Sequence, residues 1–257
     1  MQEQFVRTQL QLGLAAMEKL SNARVAVFGV GGVGGYAVEA LARSGIGALD
    51  LVDDDRVSLT NINRQILATH STIGRHKVDV AAERLRDINP QIEVTTWKTF
   101  YTPQTADQFD FTRYDYVVDA IDTVTGKLSL VLKAQAAGVP IISAMGAGNK
   151  LDPTAFRVAD IYQTSGCPLA RIMRKELRKR GVKGLKVVFS PEEPTPPDPE
   201  LMAACVAKDL EPDTDRPGAP KRQVPGSNAF VPAVTGLILA GEVIRDLVKT
   251  GTAQSME

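Results

Sequence analysis

The run Arg24-Val-Ala-Val-Phe28, passing at once into Gly29-Val-Gly-Gly-Val-Gly34 and then into the helix-forming segment Tyr36 to Ser44, constrains the fold more than any other stretch of the chain. An apolar strand that enters a glycine turn and leaves it as a helix allows a tight backbone reversal. It also lets a phosphate approach the helix N-terminus, where free N–H groups and the dipole favour anions. A second apolar run, Ala48 to Val52, ends in Asp53-Asp54-Asp55. A carboxylate about 20 residues past such glycines sits where a ribose hydroxyl would lie, and Asp53 fits that position.

The same alternation continues downstream. Val78 to Ile88 reads as a helix stopped by Asn89-Pro90, Ile92 to Thr96 as a strand, Tyr116 to Asp119 as a short buried strand of parallel type, Val124 to Ala137 as a helix and Ile141 to Ala144 as a strand. Strands alternating with helices predict an α/β fold: a Rossmann-like, doubly wound, mainly parallel sheet with helices on both faces. Glu3 to Leu20 has apolar residues at helical spacing and predicts one or two helices beside the sheet. Val57 to His70 is polar and loop-like, with a short helix expected at Asn63 to Leu67. Beyond Lys150 the pattern predicts a strand at Phe156 to Ile161, a basic helix at Pro168 to Lys179, a strand at Leu185 to Phe189 and an apolar helix at Val231 to Lys249. Ser190 to Pro225 holds most of the prolines with many acids and predicts a mobile loop. The expected organisation is one domain over 1–257: a nucleotide-binding core at 1–150, a substrate-facing extension at 151–190, a flexible crossover loop at 191–226 and a closing helix at 227–257.

Composition removes several classes. With 30 basic and 30 acidic residues the formal net charge is zero, so no global field draws the chain to nucleic acid and any such attraction must be local. The two cysteines, Cys167 and Cys205, form no C-x-x-C pair, which argues against a cysteine-built zinc site and fits a cytoplasmic location. Met1 to Gln11 lacks the apolar core of a signal peptide. Ala229 to Ile244 contains Pro232 and Glu242 and is shorter than the roughly 20 residues a membrane span needs, so no membrane association is expected.

A second group of residues changes what the glycine turn is for. Asn61, Arg64 and Lys77, with Asp55 and Asp122, supply more cations than a dinucleotide needs. A triphosphate requires arginine, lysine and a magnesium ligand. Asp122 falls at the carboxyl end of a central strand, on the side where such sheets bind ligands.

Gly29-x-Gly-Gly-x-Gly34, Leu51-Val-Asp-Asp-Asp55, Asn61-x-x-Arg64-Gln65, Lys77 and Asp119-x-x-Asp122 together resemble the nucleotide site of the ubiquitin-activating-enzyme-like, ThiF/MoeB-type adenylating superfamily, over roughly Gln4 to Ala144. The resemblance implies that Gly29, Gly31, Gly32, Gly34, Asp53, Asp55, Asn61, Arg64, Gln65, Lys77 and Asp122 hold ATP, with Asp53 on the ribose and Asp122 on magnesium. It implies a homodimer in which Arg7 reaches the partner's phosphates, and catalytic roles for Arg7, Arg64, Lys77 and Asp122. Within the superfamily, Ala147-Gly-Asn-Lys-Leu-Asp-Pro-Thr154, Asp160 to Arg171 and Lys186-Val-Val-Phe-Ser-x-Glu192 are most similar to the tRNA threonylcarbamoyladenosine dehydratases. That resemblance implies ATP-dependent adenylation of the carboxylate on the modified adenosine beside the anticodon, then cyclisation with loss of water. No matching segment is assigned to Pro194 to Pro225.

Arg171, Arg174, Lys175, Arg178 and Lys179 form the candidate tRNA surface, since positions 171, 174, 175 and 178 share one helical face. A solvated charged face is the plainer reading of the same run. Cys167 reads as a packing cysteine, and His70 and His76 as surface histidines. Sodium or potassium near Gly146 to Asp152 is a candidate cofactor, and a sulfur-transfer or redox protein a candidate partner. Three other functions are weighed. A sulfur-carrier adenylyltransferase commonly carries two C-x-x-C pairs, which this chain lacks. An NAD(P)-dependent oxidoreductase would leave Asn61, Arg64 and Lys77 unexplained. A non-catalytic nucleotide-sensing module is the third.

Overall fold

The computed structural model describes residues 3–207 and 225–249, with the backbone alone for 204–207. Among the described residues seven strands form one sheet: β1 (Arg24–Phe28), β2 (Ala48–Val52), β3 (Glu93–Trp97), β4 (Tyr116–Asp119), β5 (Ile141–Ala144), β6 (Arg157–Asp160) and β7 (Lys186–Phe189), in the order β3-β2-β1-β4-β5-β7-β6. All neighbours are parallel except β6 against β7. The strand order reverses between β1 and β4, so a crevice opens at their carboxyl ends.

The helices are α1 (Val6–Leu12), α2 (Leu14–Asn22), α3 (Gly34–Arg43), α4 (Lys77–Ile88), α5 (Val124–Ala136), α6 (Pro168–Lys179), α7 (Pro199–Ala207) and α8 (Val231–Lys249). Strand side chains alternate between two apolar layers, as the pleat requires. Val25, Val27, Leu49, Leu51, Tyr116 and Val118 pack with α3, α4 and α8 on one face. Ala26, Phe28, Val117, Val187 and Phe189 pack with α5, α6 and an aromatic group built on Tyr101, Phe109 and Phe111 on the other. Both faces are therefore covered, which explains why the inner strands read as continuous apolar runs.

Two expectations need correction. No helix forms at Asn63 to Leu67; a 3-10 turn spans Leu59–Asn61 instead. There the Ser58 side chain accepts from the Asn61 backbone N–H, and the Asn61 side chain accepts from Ser58 N–H, so local polar groups satisfy the backbone without a helix. The segment expected to be loop throughout contains α7, which begins at Pro199, where proline suits the first helical turn. Of the rest of that expected loop, 190–198 and Pro225 form no helix or strand, and 208–224 lies outside the described residues. Among the described residues no helix is long and apolar enough to cross a membrane.

Candidate nucleotide site

The glycine turn leaves β1 at the sheet's reversal point and enters α3. Gly29 has φ +89°, and a Cβ there would come within 2.7 Å of the Ala120 carbonyl at the end of β4. Gly34 is more restricted, since its Cβ would lie 1.8 Å from the Gly29 carbonyl. Both are glycine because the chain packs against itself. Gly31 and Gly32 differ. A Cβ on Gly31 would meet nothing nearer than Gln65 Nε2 at 3.8 Å, and one on Gly32 only Pro232 at 3.4 Å and Arg64 Cγ at 3.6 Å. The fold leaves a cradle over these two glycines.

The acidic end of β2 is tied to that turn. Asp53 accepts from Val30 N–H at 2.7 Å and from Asp55 N–H at 2.9 Å, so its carboxylate braces the glycine turn. Burial pushes the Asp53 carboxyl above the usual range, and the Lys77 charge opposes that rise. Lys77, only 5% exposed, lies 2.7 Å from the Asp55 carboxylate. It is brought there by a short antiparallel ladder: Val57 N–H donates to Arg75, Gly74 N–H to Val57, and Lys77 N–H to Asp55. Carboxylate oxygens of Asp53, Asp54 and Asp55 lie within 4.8 Å of one another, and Asp122 does not join this group.

The polar turn after β2 supplies the opposite wall. Asn61 is buried and occupied in capping its own turn. Arg64 Nη1 donates to Thr60 O at 3.0 Å and to Asn63 Oδ1 at 2.9 Å, holding the side chain over Gly32. Burial lowers the Arg64 pKa from its ordinary value. Gln65 is buried beside Gly31, and its Oε1 has no hydrogen-bond partner among the described residues. A buried amide oxygen without a partner is costly unless a ligand supplies the donor. The cradle and the flanking cations Arg64 and Lys77 fit the phosphates of a nucleotide, and the orphaned oxygen suits one of its N–H or O–H donors.

The end of β4 contains a group that the sequence reading missed. Asp119 is 0% exposed and Lys127 1% exposed, and Lys127 Nζ donates to Asp119 at 3.0 Å, Ser143 Oγ at 3.2 Å and Ala144 O at 2.7 Å. Ser143 donates to the other Asp119 oxygen. Burial pushes the Asp119 carboxyl up, with the Lys127 charge opposing. The network knots the ends of β4 and β5 to α5, so it fixes the ledge on which Asp122 stands exposed. A signal did exist: Lys127 shares an i, i+3, i+4, i+7 stripe with buried Leu130, Val131 and Ala134.

The Gly146 to Asp152 segment follows β5. Lys150 is buried there, and its ammonium donates to Ser190 O at 3.2 Å and to Glu192 O. The Glu192 carboxylate accepts from Leu151 N–H at 2.8 Å and Asp152 N–H at 3.1 Å. The Lys150 ammonium lies within the segment where a monovalent ion is expected. Lys150 and Glu192 both stand in segments that carry the resemblance, but nothing in the sequence places one against the other.

Helix α6 starts against the same segment, with Cys167 Sγ 3.6 Å from the point a Gly146 Cβ would take. Cys167 is buried among apolar residues, in line with a packing role. Arg171, Arg174, Lys175, Arg178 and Lys179 line one open groove of about 410 Å³. Three of the five are also engaged within the chain: Arg174 donates to Thr164 O at 2.7 Å, Arg178 lies 5.2 Å over the Tyr162 ring, and Lys179 pairs with Glu176 at 2.8 Å. Arg7 is exposed on α1. His70 is exposed as expected, but His76 is only partly exposed, caps α4 and keeps a buried Nδ1 without a partner among the described residues.

A family model described as the ThiF family matches residues 6–256. The tRNA threonylcarbamoyladenosine dehydratase of Bacillus subtilis (strain 168) is 47% identical over 250 residues, covering 97% of this chain and 96% of its own. The solved structure of E. coli tRNA N6-threonylcarbamoyladenosine dehydratase in complex with ATP matches with a TM-score of 0.83 at 33% identity, covering 98% of this chain and 96% of that one. The AMP complex of the same E. coli protein matches equally well.

Proposed function

The chain belongs to the ThiF family, and from that premise we propose that it is an ATP-dependent tRNA-modifying enzyme, one that adenylates the carboxylate of threonylcarbamoyladenosine and closes the side chain with loss of water. The observation that carries the ATP part is the cradle over Gly31 and Gly32, faced by the orphaned Gln65 Oε1 and overhung by Arg64. The names of the similar proteins support the tRNA part.

In this reading a carboxylate oxygen of the substrate attacks the α-phosphate in line, forming an acyl-adenylate and releasing pyrophosphate. Arg64 and Lys77 offset the charge on the phosphates, Asn61 contacts them through its amide N–H, Gln65 accepts from an N–H or O–H of the nucleotide, and Asp53 and Asp55 serve the ribose side. Magnesium, when bound by Asp122, would neutralise further phosphate charge; its hard carboxylate oxygen at the strand end suits that ion. A nitrogen of the substrate's ureido group then attacks the activated carbonyl, loses its proton and expels AMP. The second step is intramolecular, so proximity supplies much of its rate and no protein nucleophile is required. A sodium or potassium ion near Gly146 to Asp152 stays part of this reading, beside the Lys150 ammonium that already holds two carbonyls.

The tRNA surface in this reading is α6. Its N-terminus abuts the Gly146 segment, and its basic residues, Arg171 to Lys179, run along the groove from about 5 Å to about 17 Å beyond that start. A homodimer is part of the same reading: Arg7 shares α1 with exposed Leu10, and exposed Leu14 begins α2. The decisive experiment incubates the protein and ATP with tRNA that carries the uncyclised nucleoside, followed by mass analysis of the nucleosides. Loss of one water with release of AMP is expected; an unchanged nucleoside would remove the proposal.

A further inference from the structure

Asn149, within the Ala147 to Thr154 segment, carries a set of contacts that the resemblance did not assign. Its φ is +58°, the only positive value at a non-glycine position among the described residues. Asparagine is among the L residues that enter this region with least strain. All of its backbone polar groups and its amide oxygen are engaged. Its N–H donates to Gly226 O at 2.7 Å, its Oδ1 accepts from Gly226 N–H at 2.6 Å, and its carbonyl accepts from Thr195 N–H at 2.7 Å. The stretch leaving at Thr195 and the stretch returning at Gly226 are thus tied to one residue.

The bonds continue across the site. Ser227 O accepts from Asn63 Nδ2 at 3.0 Å, and Asn63 Oδ1 accepts from Arg64 Nη1 at 2.9 Å. A continuous path runs from Asn149 through Gly226 and Ser227 to Asn63 and ends on the Arg64 guanidinium. Asn228 anchors the same segment from its other end, donating to Lys150 O at 2.9 Å and accepting from Val231 N–H at 2.8 Å at the start of α8. Among the described residues Arg64 has one other hydrogen bond, to Thr60 O in its own turn. A long arginine side chain left to itself samples many rotamers, and fixing it before the ligand arrives lowers the entropy lost on binding.

We propose that Asn149 is a positioning residue for Arg64, acting through Gly226, Ser227 and Asn63 to hold the guanidinium over the glycine cradle. The inference rests on the phosphate role given to Arg64 above. It makes the returning 225–228 segment a working wall of the nucleotide site, although none of its side chains needs to touch the nucleotide.

The test compares ATP and adenosine binding by calorimetry on the full chain. The variants are Asn149→Gly, Asn149→Asp, Asn63→Ala, Arg64→Ala and the double variant Asn149→Gly with Arg64→Ala. Asn149→Gly keeps the backbone conformation and loses only the amide acceptor; Asn149→Asp keeps the acceptor. Asn149→Gly and Asn63→Ala should each weaken ATP about three- to tenfold, the range expected for a lost preorganising hydrogen bond, and leave adenosine unchanged. Asn149→Asp should retain most of the affinity. In the Arg64→Ala background, Asn149→Gly should have no further effect, because both act through one group. Equal loss of ATP and adenosine binding, or an undiminished loss in the Arg64→Ala background, would overturn the positioning role. If Arg64→Ala alone leaves ATP affinity intact, the phosphate reading itself falls and this inference with it. Should Asn149→Gly fail to fold, Asn63→Ala, at an exposed position, carries the same comparison.

Discussion

Gly31 and Gly34 stand three residues apart and are glycine for opposite reasons. Gly34 would drive a methyl into the Gly29 carbonyl at 1.8 Å, so Gly34→Ala must displace the turn and should cost upwards of about 3 kcal/mol, visible as a lowered Tm or failure to fold. Gly31 has room for a methyl, so Gly31→Ala should fold with stability within about 1 kcal/mol of the parent and lose ATP affinity instead. Thermal unfolding with an ATP titration checks both; normal ATP binding by the Gly31 variant would mean that no ligand uses the cradle. Arg64→Ala should abolish turnover and leave the Tm near that of the parent, measured by ATP–pyrophosphate exchange. At this scale the sequence was a good guide to the motif residues, because each motif lies in one contiguous stretch. It could not separate glycines that serve packing from those that leave space. For Gly29, Gly31 and Gly32 that distinction depends on Ala120, Gln65 and Pro232, remote in the chain.

Helices α5 and α6 show what an element adds to its residues. Lys127 lies on the buried stripe of α5, where a charge is tolerated only with a full set of partners. Lys127→Met leaves Asp119 as an uncompensated buried carboxyl and should cost about 3–5 kcal/mol in urea unfolding; adding Asp119→Asn should recover most of it. A Lys127→Met variant as stable as the parent would mean the pair does not hold the β4 end. On α6 the five cations divide. Arg174 and Arg178 are partly committed to Thr164 and Tyr162, so their replacement would mix structural damage with lost binding. Arg171→Glu with Lys175→Glu is the cleaner test, expected to weaken tRNA binding and to lower the salt slope by about 2. An unchanged slope would leave α6 as a solvated charged face. Periodicity identified both helices to within a residue or two, since burial of one face imposes it. The short helix expected at Asn63 to Leu67 failed because Ser58 and Asn61 capped a tighter turn first.

The whole molecule is closed by α8, which returns along the sheet and packs against α3. Its polar fastening is Asp246, which accepts from Tyr116 OH at 2.7 Å and pairs with Lys186 at 2.7 Å. Burial works to raise the Asp246 carboxyl, but the bonds from Lys186 and Tyr116 prevail and hold it below its ordinary value. A carboxyl depressed on folding contributes stability above its unfolded pKa and loses that contribution as pH falls through the folded one. Stability should therefore drop below about pH 4, and Asp246→Asn should flatten that acid limb. Identical acid limbs would discount the fastening. The proposed dimer has its own test at this scale. Arg7→Ala and Arg64→Ala proteins, each inactive alone, should regain about a quarter of the parent activity when unfolded together and refolded. Half the resulting dimers are mixed, and each of those carries one intact site if Arg7 acts across a two-fold. No recovery would confine Arg7 to its own subunit or to no role. Taken by itself, the order of residues determined the strand and helix succession, the parallel sheet and the phosphate-binding motif, because those follow from local periodicity and from spacing within single βα units. Only the tertiary structure decided that Asp53 braces the glycine turn, that Lys127 knots two strand ends, and that Asn149 reaches Arg64 through the returning chain. Each of these joins residues distant in sequence; periodicity marks Lys127 as inward-facing but names no partner, and the groups meet only once the sheet has brought its carboxyl ends to one edge.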